Sequence, residues 1–562
     1  MFSYNTHLST FQVMEKELKF LLLLLISLFA PLCHAAGSSD YLLDVSFDTK
    51  TQRMEAVATI TFQAGEAWKL DVYGLQIHEI TIRENGKKAV SLPIPAGDTI
   101  AMYGGKFSQE VTVRYALQPA AQDFNNRISG DGIVLSAGWH PIPHRAMFYS
   151  LTARLPAGFK GISESDSIDT KQVNTILRTS FSQAVQTIHL AAGPYQVKQQ
   201  KIRDGLSLST WFFAEDAALS SGYLQSAKEY ILRYEKEIGP FPYRHYAIVA
   251  NRLPTGYGMP TYTLLGQMVL RLPFIRETSL GHEVLHSWFG NSIEPHEKSG
   301  NWCEGLTSYL ADFSYAVDRG EGAAHRKNSL INYQSYVHQD SAIALKDFHS
   351  ASHNQAMAKA VRAVGYNRSA MFFHQLRGLL GPEDFILGIR LFAATHKGKT
   401  ASWDDIQAAF EKVSKRDLSV FFTEQLTRQD TPSLSAVNIH TENRQDQSIL
   451  SFTLLQNSGQ PYTLKVPIQV QSPDGSHTFS RLIKKKESKI EIVLDQPPLS
   501  FTIDPEYDIF RALDTHENPP VWSRFLGSEH KLLISDPEDA TAFAPLLKWA
   551  ERQGWQNISS KD

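Results

Sequence analysis

The chain has 562 residues, too many for one hydrophobic core, so several domains of ~100–200 residues each are expected. Its 42% hydrophobic and 20% charged content is that of a folded globular protein, which excludes a disordered or fibrous chain. A net charge of -3 gives no electrostatic footprint for nucleic acid, so none is expected as a partner.

At the N-terminus Lys16 and Lys19 precede an apolar run from Phe20 to Ala30, followed by Pro31-Leu32-Cys33-His34-Ala35-Ala36. A basic segment, a short apolar run and small residues at its end predict a secretory signal peptide over 1–36, with residues 1–13 as an upstream extension before Met14. The run is shorter than the ~20 residues that span a bilayer. Export to the periplasm or the exterior is expected, without stable membrane insertion after cleavage. Cys33 leaves with the signal, so Cys303 remains as a lone thiol.

From 37 to 205 apolar and polar residues alternate, as in Leu43, Val45, Phe47 and again Met54, Ala56, Ala58, Ile60, Phe62. That period of two predicts an N-terminal antiparallel β domain, with Glu84-Asn85-Gly86 as one of its turns. The next segment, 206–431, is mainly helical. It contains an amphipathic helix over Tyr223–Ile238 closed by Gly239-Pro240, and a short buried strand at Tyr246–Ala250. Leu306, Tyr309, Leu310, Phe313 and Val317 form one apolar stripe at helical spacing. Ser402-Trp403-Asp404-Asp405 has the form of a capping box. Alternation returns over 432–515, with Leu464, Val466, Ile468 and Val470 on one face and a turn at Pro473-Asp474-Gly475, predicting a C-terminal β-sandwich. The Lys484-Lys485-Lys486 cluster reads as a solvated turn. Residues 516–562 carry a strand, a helix and the start of a second strand. Such a fragment buries neither face alone, so this short α/β tail is expected to be incomplete or docked on the rest. The fold class is multidomain α+β.

The chemistry concentrates at His282-Glu283-Val284-Leu285-His286. Residues four apart share a helix face, so both imidazoles reach one metal ion, with Glu283 beside them as general base. A catalytic zinc needs a third protein ligand and an open position. Phe289 and Ser292 stand where a metzincin needs Gly and His, so the third ligand is a later glutamate. Glu304, eighteen residues after His286, opens an amphipathic helix; its rivals Glu294 and Glu297 fall in a loop. Asp312 reads as a polar helix residue first and as an orienting partner for a ligand histidine second.

The segment from His282 through His286-Ser287-Trp288-Phe289-Gly290-Asn291, then Asn301-Trp302-Cys303-Glu304-Gly305-Leu306-Thr307-Ser308-Tyr309, resembles the M1 aminopeptidase family of gluzincins. Phe241-Pro242-Tyr243, Gly256-Tyr257-Gly258-Met259-Pro260 and Tyr366-Asn367-Arg368-Ser369-Ala370 follow the same family order. The resemblance covers about residues 40–515. It implies a thermolysin-like catalytic domain, one zinc ion per chain on His282, His286 and Glu304, peptide substrates, and Tyr366 as a hydrogen-bond donor to the oxyanion. It also implies that Gly258, Met259 and Pro260 line the substrate cleft. Two departures stand out. The ligand spacing is one residue shorter than usual. The family's Gly-x-Met-Glu-Asn motif here ends Met259-Pro260-Thr261, which removes the glutamate that holds a substrate's α-amine. The expectation is therefore a zinc peptidase of aminopeptidase type, with an endopeptidase, a hydrolase of N-blocked peptides, or an inactive peptidase-fold binding protein as alternatives.

Overall fold

The computed structural model describes residues 40–172, 175–254, 256–350, 355–444, 447–528, 530–536, 538 and 541–560; the expected signal peptide lies outside them. The chain is a multidomain α+β arrangement that divides into two compact units. The first holds residues to 119, 136–156 and 176–189; the second holds 120–135, 157–175 and everything from 190 onward. This division does not follow the boundary expected at residue 205. A four-stranded sheet pairs Asn126–Ser129, Gly132–Leu135, Leu190–Gly193 and Lys160–Ile162, and so ties two excursions of the N-terminal region to the second unit.

The first unit is built on a seven-stranded sheet whose central strands are Tyr41–Asp48, Arg53–Phe62 and Gln109–Leu117. Leu43, Val45, Met54, Ala58 and Ile60 are buried, on the face predicted by the alternation. The sheet is not purely antiparallel: Tyr41–Asp48 runs parallel to Tyr149–Arg154. The Asn85-Gly86 turn has positive φ at both residues (44° and 73°), the geometry that a tight hairpin demands and that Asn and Gly tolerate.

In the second unit a five-stranded sheet runs in the order Gln196–Arg203, Leu206–Phe212, His245–Asn251, Tyr262–Gly266, Gly256–Met259. The last strand, Gly256–Met259, forms one edge and pairs antiparallel with Tyr262–Gly266. Helix Ser220–Glu237 packs on this sheet through Tyr223, Leu224, Ala227, Ile231 and Tyr234. Helices then dominate to Thr427, and the capping box of helix Trp403–Ser414 is formed by Ser402 and Asp405.

The apolar stripe of the 303–318 segment departs from the sequence reading at one point. Leu306, Tyr309, Leu310 and Phe313 are buried, but Val317 is 50% exposed. A π-helical turn at Tyr309–Phe313 inserts an extra residue, so the inward face moves on to Tyr315 and Ala316.

After Thr427, two three-stranded sheets contribute Leu454, Val466, Ile468 and Ile492 to one shared core. Lys484-Lys485-Lys486 is an exposed turn between two of these strands. In the tail, strands Leu532–Ser535 and Gln556–Ser559 pair in parallel, with helix Ala544–Arg552 between them in sequence. Among the described residues no helix is long and apolar enough to cross a membrane.

Candidate active site

Helix Ser279–Leu285 carries His282 and Glu283, and His286 caps its end. Its outer neighbours fix how it sits. Trp288 donates to Gly239 O at 3.1 Å, and the backbone of Gly290 to Ile293 closes a turn behind His286. Glu304 lies in the first turn of helix Cys303–Ser308, whose approach is held by Asn301 accepting from the Cys303 backbone at 2.9 Å.

The three expected metal ligands converge. One nitrogen of each histidine and a Glu304 oxygen lie within 4.8 Å of one another, and among the described residues this is the one His/Cys/Asp/Glu group so arranged. Glu304 Oε2 stands 3.7 Å from His282 Nε2 and 3.6 Å from His286 Nε2. Those separations are too long for hydrogen bonds. They lie at or slightly beyond the upper end of the roughly 3.3–3.6 Å between ligand atoms set 2.0–2.2 Å from a tetrahedral zinc. Glu304 Oε2 is buried without a hydrogen-bond partner, a costly arrangement unless a cation completes it. Glu294 and Glu297 lie on a short strand and a 3-10 turn outside this group.

The remaining nitrogens decide the orientation. His282 Nδ1 is 2.8 Å from Asp312 Oδ2, and His286 Nδ1 donates to Phe289 O at 2.9 Å. Both Nε2 atoms are thereby aimed at Glu304. The secondary reading of Asp312 is the one the structure adopts. On a regular helix, a residue eight positions after Glu304 points about 80° away from it. The π-turn at Tyr309–Phe313 takes up the extra residue and swings Asp312 back toward His282. The sequence carried no signal for this turn, nor for Phe289 O as the partner of His286.

The charges follow from burial and neighbours. Burial alone would raise the Glu304 carboxyl, but His286 and His282 outweigh it and hold it well below the usual carboxylate range. Burial would lower His282, but the Asp312 hydrogen bond and charge dominate and raise it. Glu283 is raised by burial, with the two histidines opposing.

Tyr366 sits on a second π-turn, Ala363–Arg368. Its ring stacks on His282, with centroids 6.4 Å apart and planes 13° from parallel. Burial first, then the charge of Glu304, raises its phenol. The next helix approaches the Glu304 helix so closely that a Cβ on Gly305 would collide with the Ser369 side chain. Arg368 is buried and donates to Arg428 O at 2.6 Å, anchoring the turn from behind.

On the other side, the edge strand Gly256–Met259 lies directly over the helix. A Cβ on Gly258 would come within 2.9 Å of Glu283 Oε2 and 3.0 Å of His286 Cβ, so only glycine fits without displacing the base. Asn291 Nδ2 donates to Gly258 O at 3.1 Å and pins the strand there. Met259 is buried into the sheet, and Pro260 is half-buried in the turn that follows. Cys303 is buried and free, and burial raises its thiol.

Residues 276–425, which hold both histidines, Glu304, Asp312 and Tyr366, match the peptidase family M1 domain. This segment is an M1 domain. Over 150 residues, 26% of its length, the chain is 28% identical to aminopeptidase N of Escherichia coli (strain K12), of which the match spans 17%. It is 26% identical over 150 residues to aminopeptidase N of Haemophilus influenzae, again across 17% of that protein. A similar match links it to aminopeptidase N of Plutella xylostella, 23% identical over 137 residues, 24% of this chain and 14% of that protein. The matched stretch is thus less than a fifth of each of these relatives. The M1 domain of this chain contains the whole candidate metal group, whereas the edge strand and Pro260 lie N-terminal to the matched residues.

Proposed function

We propose that the protein is a zinc-dependent peptidase that hydrolyses short peptides at the M1 site. The observation that supports this most strongly is the orphaned Glu304 Oε2, faced by two imidazole nitrogens whose opposite nitrogens are already committed.

His282, His286 and Glu304 would hold one zinc ion, which supplies Lewis acidity by polarising a carbonyl and lowering the pKa of a water molecule toward about 7. Glu283, buried beside the two histidines, takes the proton of the attacking water and passes it to the leaving amine. The Tyr366 hydroxyl donates to the oxyanion as it forms, a contribution of about 3–4 kcal/mol for a positioned donor. The outer side of Gly256–Met259 offers an edge for extended substrate. Gly258 keeps that edge close to Glu283.

Pro260 favours a second reading on the same site. An α-ammonium group in a partly desolvated cleft needs a carboxylate partner, because a buried unpaired charge costs several kcal/mol. Proline offers none. The preference for free N-termini is therefore weak, and endopeptidase cleavage or hydrolysis of N-blocked peptides fits as well as aminopeptidase cleavage.

One experiment tests both points: kcat/KM for matched free and N-acetylated peptides, on wild type and Glu283→Gln. The wild type cleaves both with a ratio under about tenfold, equivalent to ~1.4 kcal/mol. Glu283→Gln retains metal and fold but loses turnover. Activity of Glu283→Gln within about tenfold of wild type removes Glu283 from the mechanism, and a free-to-blocked ratio above about a thousand indicates an intact amine site.

A further inference from the structure

The helix Gln355–Arg362 runs directly into the π-turn that carries Tyr366. Its last residue, Arg362, is exposed, and its guanidinium carbon lies 5.4 Å from the centroid of the Tyr366 ring. One turn earlier, exposed Lys359 lies 5.4 Å from the Tyr336 ring centroid. Among the described residues neither cation has an ion-pair partner. Two positive charges on one helix face therefore lead to the phenol that stacks on His282.

An exposed arginine over an aromatic face gains only about 0.5–1 kcal/mol. Among the described residues no hydrogen bond or ion pair engages the guanidinium, so its N–H donors are available to a ligand. Their fork matches a carboxylate, which accepts two parallel bonds from it. A cation beside the phenol that stacks on His282, without a carboxylate partner among the described residues, selects for negative charge on the substrate.

We propose that Arg362 binds a substrate carboxylate lying within about two residues of the scissile bond, each residue spanning ~3.3–3.6 Å. Two sources supply that group: the side chain of Asp or Glu next to the cleaved bond, or the C-terminal carboxylate of a very short peptide. Lys359 extends the positive strip and attracts such substrates. The inference rests on the peptidase reading above and narrows it to acidic or very short peptides.

The test uses three substrate pairs that differ by one charge: Glu against Gln before the scissile bond, Glu against Gln after it, and free C-terminal acid against amide. In the wild type at least one pair favours the charged member by about tenfold or more in kcat/KM. Arg362→Gln brings that ratio to within about twofold of one, and Arg362→Glu reverses it. The pair that responds identifies the source of the carboxylate. If Arg362 merely positions Tyr366, its loss slows both members alike and the ratio survives, which overturns the proposal. A wild type in which no pair differs by more than about twofold overturns it equally. The same peptides, titrated calorimetrically onto the Glu283→Gln protein, give the same ranking in Kd. Charge-dependent binding without cleavage would sink the peptidase reading alone; cleavage without charge dependence would sink the Arg362 assignment alone.

Discussion

His282 Nδ1 and Asp312 Oδ2 lie 2.8 Å apart, across the gap between the helix of the histidine motif and the π-turn that follows Glu304. The contact fixes the ring so that Nε2 faces Glu304, and it raises the basicity of the imidazole against the effect of burial. Both effects favour a ligand histidine. Asp312→Ala is expected to weaken zinc binding by about 10–100-fold, measured by competition with a chelator of known affinity. Unchanged affinity would leave Asp312 with the plain role of a polar helix residue.

Tyr366, on the π-turn Ala363–Arg368, stacks on the same imidazole. Its hydrogen bond to the oxyanion forms mainly in the transition state, so Tyr366→Phe lowers kcat by ~10²–10³-fold with little change in KM. Steady-state kinetics separate the two parameters. A change confined to KM would mean that Tyr366 binds substrate and does not stabilise the oxyanion.

Away from the metal group, His245 begins the central strand His245–Asn251 and is buried, with Nε2 donating to Ser165 O at 2.8 Å. Burial lowers its pKa, and the Ser165 contact and Asp166 offset this only in part. The unfolded chain therefore takes up the proton more readily than the folded one. The stability tied to His245 is complete above the ordinary histidine value of ~6.5 and is lost as pH falls below it. The expected result is a urea midpoint that falls between about pH 7 and 5, with a smaller fall in His245→Gln. Equal slopes in the two proteins would remove His245 from the acid response.

The metal group was legible in the sequence because its spacings are local. The two histidines stand four positions apart on one helix, and Glu304 opens the next strong apolar stripe. Gly258 beside Glu283 was legible only through the family resemblance; the close approach that demands glycine comes from the fold. Three things were hidden. The π-turn at Tyr309–Phe313 changes the helical phase, and with it the roles of Asp312 and Val317. The bond from His286 to Phe289 O and the bond from Asn291 to Gly258 O depend on a tight turn through Gly290, and the residue pattern alone does not name their partners. The four-stranded sheet that joins 126–135 and 160–162 to 190–193 is made of pairings far apart in sequence, which periodicity cannot specify.

The most direct test of the zinc peptidase account is hydrolysis of a short peptide by the purified protein before chelation, after chelation, and during stepwise return of zinc, with bound metal measured alongside. The account predicts one tightly bound zinc per chain, loss of nearly all activity on removal, and recovery that saturates at one equivalent. It also predicts that Glu304→Ala neither holds the zinc nor recovers. Full activity in the metal-free protein, or full zinc occupancy and activity in Glu304→Ala, would contradict it.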